Sequence, residues 1–158
     1  MQPSTTEPQT LLGVGIFQHL EHTARRSVAH LCNSRRYGAQ HEIIRNQDDD
    51  TDVYFIVSGE VRATIFSRNG KEVTFRDIGP GGIFGDLSAI DAKPRCASVI
   101  ALQESVVVRM SSADFQQVLR DQPAVAIEVL QRLTQMVRDL SDRVVEFSTL
   151  GVNNRIHA

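Results

Sequence analysis

The sequence predicts a mainly β protein: a jelly-roll barrel (double-stranded β-helix) with flanking helices, followed by one long C-terminal helix. Three observations carry this. Between residues 36 and 110, short β-branched and aromatic segments recur with turn residues at about 8–12-residue spacing, as in closed all-β architectures. At Ser111 the apolar period changes from two to that of a helix. From Pro123 to Leu150 no glycine or proline interrupts the pattern. With 158 residues, 41% of them hydrophobic, the chain is long enough for one domain with a true core.

The elements follow in order. Residues 1–14 begin with the polar MQPSTTEPQT and are expected to form a mobile N-terminal tail. They lack the basic segment and apolar core of a leader, and no apolar run in the chain approaches membrane-spanning length. A domain is expected over 15–122. Phe17, Leu20, Ala24, Val28 and Leu31 step by three and four, which predicts an amphipathic helix over 17–31. His19, His22, His30 and His41 lie close in sequence, but no cysteine or carboxylate cluster completes a ligand set. They read as solvated residues, and no metal is expected.

Strands are expected at 41–44, 52–57, 60–67, 71–77, 97–101 and 105–110. In the third, Val61, Ala63 and Ile65 alternate with Arg62, Thr64 and Phe66, the period of a half-buried strand. Arg68-Asn69-Gly70 marks a hairpin and Ser58-Gly59 a second turn. Asp48, Asp49, Asp50 and Asp52 lack the glycine and distal glutamate of a calcium loop and read as a solvated loop tip. Ser111 with Asp114 resembles a capping box that opens a short helix.

The long helix is expected over 123–150. Leu130, Leu133, Val137, Leu140, Val144 and Phe147 are spaced 3, 4, 3, 4 and 3 apart, a heptad seam that predicts a two-stranded homodimer. Glu128–Arg132 and Asp139–Arg143 read as exposed i, i+4 ion pairs.

Composition sets limits on function. A net charge of −2 gives no basic footprint of the kind nucleic-acid-binding domains carry. The two cysteines, Cys32 and Cys96, form neither a disulfide framework nor a zinc spacing, which fits a cytoplasmic location.

One stretch concentrates chemistry: Gly81–Val99, GGIFGDLSAIDAKPRCASV. Its glycines let backbone amides approach a ligand, Asp86 accepts hydrogen bonds from hydroxyls, and Arg95 offers a donor fork suited to phosphate. A ligand carrying sugar hydroxyls and a phosphate would use all three. Paired general bases, nucleophiles or metal clusters that would attack such a ligand are not seen, so binding is expected rather than catalysis.

Phe84-Gly85-Asp86-Leu87-Ser88-Ala89 and Pro94-Arg95-Cys96-Ala97-Ser98-Val99, with the Ser58-Gly59-Glu60-Val61 turn, resemble the cyclic nucleotide-binding domain. With the long helix, the flavour is that of the bacterial Crp/Fnr transcription regulators. The resemblance implies that Arg95 pairs with the cyclic phosphate and Asp86 bonds the ribose 2′-hydroxyl. It further implies that Gly85, Leu87 and the amides around Cys96 and Ala97 complete the site. On the long helix it places Leu140 and Ser141 where relatives set two hydroxyl residues against adenine, so that Ser141 keeps one. Two departures stand out: Asp86 replaces the family's glutamate, and Cys96 replaces the threonine of some members that prefer cGMP. The thiol is a poor donor, which favours cAMP over cGMP as the ligand. No cofactor is implied. The resemblance also implies a DNA-binding domain beyond this chain, with residues 151–158 as the hinge and its opening, so that DNA is a partner only through that domain. A rival is a degenerate dimerisation module of the same family, responding to cGMP, haem or another effector.

Overall fold

The computed structural model describes residues 4–157, excepting the side chains of residues 74, 75 and 152–157. Strands β1 (Ser4–Thr5), β2 (Cys32–Tyr37), β9 (Ser105–Met110), β4 (Val53–Ser58) and β7 (Ile83–Phe84) form one sheet, in that order. Strands β3 (Glu42–Ile44), β8 (Ser98–Ala101), β5 (Val61–Phe66) and β6 (Glu72–Ile78) form the other. All pairings are antiparallel. Helices α1 (His22–His30), α2 (Asp86–Asp91), α3 (Ser112–Asp121) and α4 (Pro123–His157) flank them. The expected jelly-roll architecture with a long terminal helix is the observed one.

Strand β4 explains why two cores form. Its run Val53-Tyr54-Phe55-Ile56 is buried at every position, so its period-two side chains serve both faces of the sheet. Tyr54 and Ile56 enter the core between the sheets, where Tyr54 stacks on Phe84 with centroids 5.0 Å apart. Val53 and Phe55 enter the second core, beneath the helices, where Phe55 meets Phe17 edge-on at 4.8 Å. A strand buried on both faces needs no alternation, and this one shows none.

The N-terminal segment departs from expectation. Over residues 4–14 the chain is packed: β1 pairs with β2, a 3₁₀ turn spans Pro8–Gly13, and Leu11 and Val14 lie fully inside the helical core. Two apolar residues were enough to anchor a segment whose first ten residues read as polar. The amphipathic pattern over 17–31 is also broken. Gly15–Phe17 is a 3₁₀ turn and α1 begins only at His22. Phe17, Leu20 and Val28 are nonetheless all buried, because the turn carries the same stripe onto the core.

In β5 the inward face runs Val61, Ala63, Ile65 as expected, but the other face is not uniformly exposed. Val61 and Ala63 are buried, and Ile65, on the same face, is 38% exposed because it lines an open cavity. Thr64, on the other face, is buried as well, and the pairing with β6 shifts register at Ala63/Thr64. The hairpin at Arg68-Asn69-Gly70 is present, with Gly70 at φ +76°. Ser111 Oγ accepts from the Asp114 amide at 3.2 Å and caps α3 as expected. The hinge expected at 151–158 is not seen through His157, where α4 continues; Gly151 costs a helix only about 1 kcal/mol. Ala158 lies outside the described residues. No described helix is long and apolar enough to cross a membrane, and no described group of three or more His, Cys, Asp or Glu is placed to hold a metal ion.

Cys32 is buried with its thiol directed at the Val28 carbonyl, and burial, aided by the Asp114 charge, pushes its pKa up to about 12. Cys96 is exposed. A thiol-reactive chromophore added to native protein should therefore modify Cys96 alone, and Cys32 should react only after denaturant is added. Two rapid equivalents in the native state would contradict this packing.

Candidate functional site

A cavity of about 390 Å³ opens between the second sheet, the β7–α2 turn and α4. Its wall includes Gly85, Asp86, Leu87, Arg95, Cys96 and Ala97. Six of the seven residues expected to bind ligand thus converge on one cavity. The seventh, Ser141, does not. Its hydroxyl bonds back to the Val137 carbonyl at 2.8 Å and it is exposed on α4. Met136 and Leu140, four residues apart on one helix face, line the cavity in its place.

The β7–α2 turn is positioned by Gly85. Its φ of +78° is left-handed, and a Cβ there would stand 2.8 Å from the Asp52 carbonyl and 2.9 Å from Arg95 Nη1. Only glycine fits. Asp86 then becomes the first residue of α2 rather than its cap, the cap position being held by Gly85 itself.

Arg95 is 2% exposed. Its Nη1 donates to the Gly85 carbonyl at 2.9 Å, and Nη2 donates to Asp50 Oδ2 at 2.8 Å and the Asp52 carbonyl at 2.6 Å. Nε is buried with no hydrogen-bond partner. Of five N–H groups, three are committed within the protein. The acidic run is exposed over Asp48–Asp50, as expected of a loop tip, but two of its carboxylates are engaged. Asp50 holds Arg95, and Asp52 pairs through its carboxylate with Arg109 of β9. Burial alone would raise the Asp50 carboxyl, but the Arg95 hydrogen bond, the Asp52 amide and nearby Arg charges outweigh it and hold its pKa below the ordinary value.

Asp86 is 4% exposed and paired with Arg132 of α4, whose Nη2 also donates to the Ile83 carbonyl at 2.9 Å. The expected exposed pair Glu128–Arg132 is not formed; Glu128 instead lies 3.8 Å from His19. Arg132 was overlooked as a site residue although it sits four residues before Met136 and eight before Leu140, on the cavity face of α4. Arg76 was overlooked too. It is two residues before the buried Ile78 on β6, and strand period puts both on the inward side. Nothing in the loop sequence marked Asp50.

The heptad seam divides between two jobs. Leu133 packs on the helical core and Leu140 lines the cavity. Leu130, Val137, Val144 and Phe147 remain exposed, Phe147 at 74%. Ile127, Thr134 and Ser141 are exposed beside Leu130, Val137 and Val144, so among the described residues an uncovered stripe with 3, 4 spacing runs along α4 next to the expected seam.

The Asp50–Arg95 bond supports an acid-sensitivity prediction. A carboxyl whose folded pKa is depressed stabilises the fold above its unfolded pKa and loses that contribution as pH falls through the folded value. Because Asp50 is 43% exposed, Asp50→Asn should cost no more than about 1 kcal/mol near neutral pH. In urea titrations the difference from wild type should shrink once pH drops below 3.8, the ordinary value for this carboxyl. A difference that grew on acidification would contradict the assignment.

Comparison with known proteins agrees with this geometry. The family model described as "Cyclic nucleotide-binding domain" matches residues 34–122, more than half of the chain. A CRP-like cAMP-activated global transcriptional regulator of Mycobacterium tuberculosis is 24% identical over 94% of this chain and 66% of its own length. The cyclic AMP receptor protein of Thermus thermophilus is 28% identical over 66% of this chain and 48% of its own. The chain thus spans about two thirds or less of these relatives. Among solved structures, the Thermus thermophilus catabolite activator protein superposes with TM-score 0.77 at 25% identity, covering 85% of this chain and 63% of that one. A cyclic nucleotide-binding domain from Methylobacillus flagellatus gives TM-score 0.79 at 22% identity, covering 91% and 87%. The chain belongs to the cyclic nucleotide-binding domain family and is homologous to the CRP-like bacterial regulators.

Proposed function

We propose that this chain is the sensor module of a cytoplasmic transcription regulator, binding a 3′,5′-cyclic nucleotide in the 390 Å³ cavity. Supporting the reading is one observation above the rest: a buried arginine, Arg95, in the cavity wall with Nε unpartnered beside the Gly85 turn. Buried donors without acceptors cost stability, and a cyclic phosphate supplies the missing acceptor in a charge-assisted bond. The ribose hydroxyl falls to Asp86, which it would share with Arg132. Cys96 and Ala97 contribute backbone amides. Binding is the activity. Of the relatives named above, the Mycobacterium tuberculosis regulator is described as cAMP-activated and the Thermus thermophilus one as a cyclic AMP receptor protein, and cAMP is the nucleotide that the Cys96 position favours.

Signalling would run through α4. Arg132, Met136 and Leu140 put this helix against the ligand, while every described residue after Met136 is exposed. A helix gains most of its stability from packing an apolar face, and this half has such a face and nothing on it. A second copy of the chain is its natural occupant, with Leu130, Val137 and Val144 recurring every seven residues. Ligand would shift the equilibrium between two dimer geometries by its differential affinity for them, and so reorient DNA-reading domains outside this chain.

Two experiments test the reading. In isothermal titration, wild type should bind a cyclic purine nucleotide at micromolar concentration, and Arg95→Ala should weaken it by about thirtyfold or more. Equal affinity in the variant would remove Arg95 from the phosphate site. In sedimentation, Val137→Glu with Val144→Glu should give monomer while retaining the folded barrel by circular dichroism. An unchanged dimer would place the interface elsewhere.

A further inference from the structure

Two guanidinium groups meet at the β7–α2 turn. Arg132 of α4 pairs with Asp86 and donates to the Ile83 carbonyl at 2.9 Å, and Arg76 of β6 reaches the same carbonyl at 3.4 Å. One carboxylate thus faces two cations. Arg76 is half-buried, and that long contact is to a neutral acceptor. Its pKa is held below that of an ordinary arginine, first by burial and next by the Arg132 charge, with Asp86 opposing. An anion between the two arginines would offset their repulsion and replace the solvent that Arg76 has lost.

The pair stands where two hollows join. Arg76, Met136 and Leu140 line both the 390 Å³ cavity and a second hollow of about 320 Å³, whose wall also takes Arg132, Asp139 and Arg143. Asp139 and Arg143 carry opposite charges, so the positive excess here is that of Arg76 and Arg132 over Asp86. Arg132, Met136, Asp139 and Arg143 step along α4 by four, three and four, on the face that Met136 turns to the cavity. The exposed stripe of Leu130, Val137 and Val144 lies on another face. A helix docked on that stripe would therefore leave the second hollow open.

A cyclic mononucleotide, with its one phosphate at Arg95, would leave these cations unmatched. We infer that Arg76 and Arg132 form a second phosphate-binding position, and that the ligand is a cyclic dinucleotide with one phosphodiester at Arg95 and the other between this pair. Such a ring carries two phosphodiesters across from each other and two bases, one for each hollow. In the second hollow the base would lie among Met136, Leu140 and the guanidinium planes, surfaces that pack on a flat ring. The inference rests on the cyclic nucleotide reading above and enlarges its ligand.

The test is isothermal titration of wild type, Arg76→Leu and Arg76→Lys with cyclic di-AMP, cyclic di-GMP, cAMP and cGMP, each variant first shown folded by its thermal melt. The better cyclic dinucleotide should bind wild type at least about tenfold more tightly than either mononucleotide. Arg76→Leu should weaken that dinucleotide by about tenfold and leave the mononucleotides within about threefold of wild type. Arg76→Lys, which keeps the charge, should recover most of the loss. The inference is overturned if a mononucleotide binds wild type as tightly as the better dinucleotide, or if Arg76→Leu weakens both classes alike. Wild type that binds mononucleotides alone would defeat this inference and leave the cyclic nucleotide reading standing, whereas binding of none of the four would defeat that reading too.

Discussion

The arrangement depends on one buried guanidinium. Placing Arg95 at 2% exposure removes a charge from water, a cost of several kcal/mol unless partners replace the lost solvent. The partners come from three separate places: the carbonyl of the Gly85 turn, the carboxylate of Asp50 and the carbonyl of Asp52. Satisfying Arg95 therefore fixes the turn before α2, the loop before β4 and the cassette relative to one another. Asp52 extends the set, since its carboxylate pairs with Arg109 on β9. The wall of the cavity is held in shape by the same residue that is read as its anion anchor.

A second ion pair joins this unit to the helix. Asp86 and Arg132 meet across the β7–α2 turn and α4, and Arg132 also takes the Ile83 carbonyl. Asp86 is thus engaged from the helix side before any hydroxyl is considered. A ligand hydroxyl that bonds Asp86 changes what Arg132 can hold, and Arg132 is one turn from Met136. Coupling between cavity and helix needs no longer path than this.

Much of the fold was legible because the chain obeys local rules. The strands announced themselves by β-branched and aromatic content, the hairpin by Asn69-Gly70, and α3 by Ser111. The cassette was legible because glycine, carboxylate and arginine must keep register for their chemistry. What could not be read was what each polar side chain does in three dimensions. Asp50 looked like surface because a loop has no period from which to infer direction. Arg132 looked like half of an exposed pair because i, i+4 spacing was taken to outrank the face it shares with Met136. The heptad gave no sign that Leu133 and Leu140, as apolar as the rest, pack on the core and line the cavity within the chain itself. The packed N-terminus shows the reverse: Leu11 and Val14 were too few to make a pattern, yet burying each fully contributes about 1.5–3 kcal/mol.

The length of α4 has a mechanical consequence. Val125 and Val129 fix its first turns in the core and Met136 touches the cavity, but residues 137–157 continue as helix beyond it. At 1.5 Å per residue that overhang is about 30 Å long. A tilt of about 10° pivoting near Met136 would carry its far end through about 5 Å, so a displacement too small to disturb the barrel becomes a large one at the tip. Under the proposed function, the helix would act as a lever whose fulcrum lies beside the pocket.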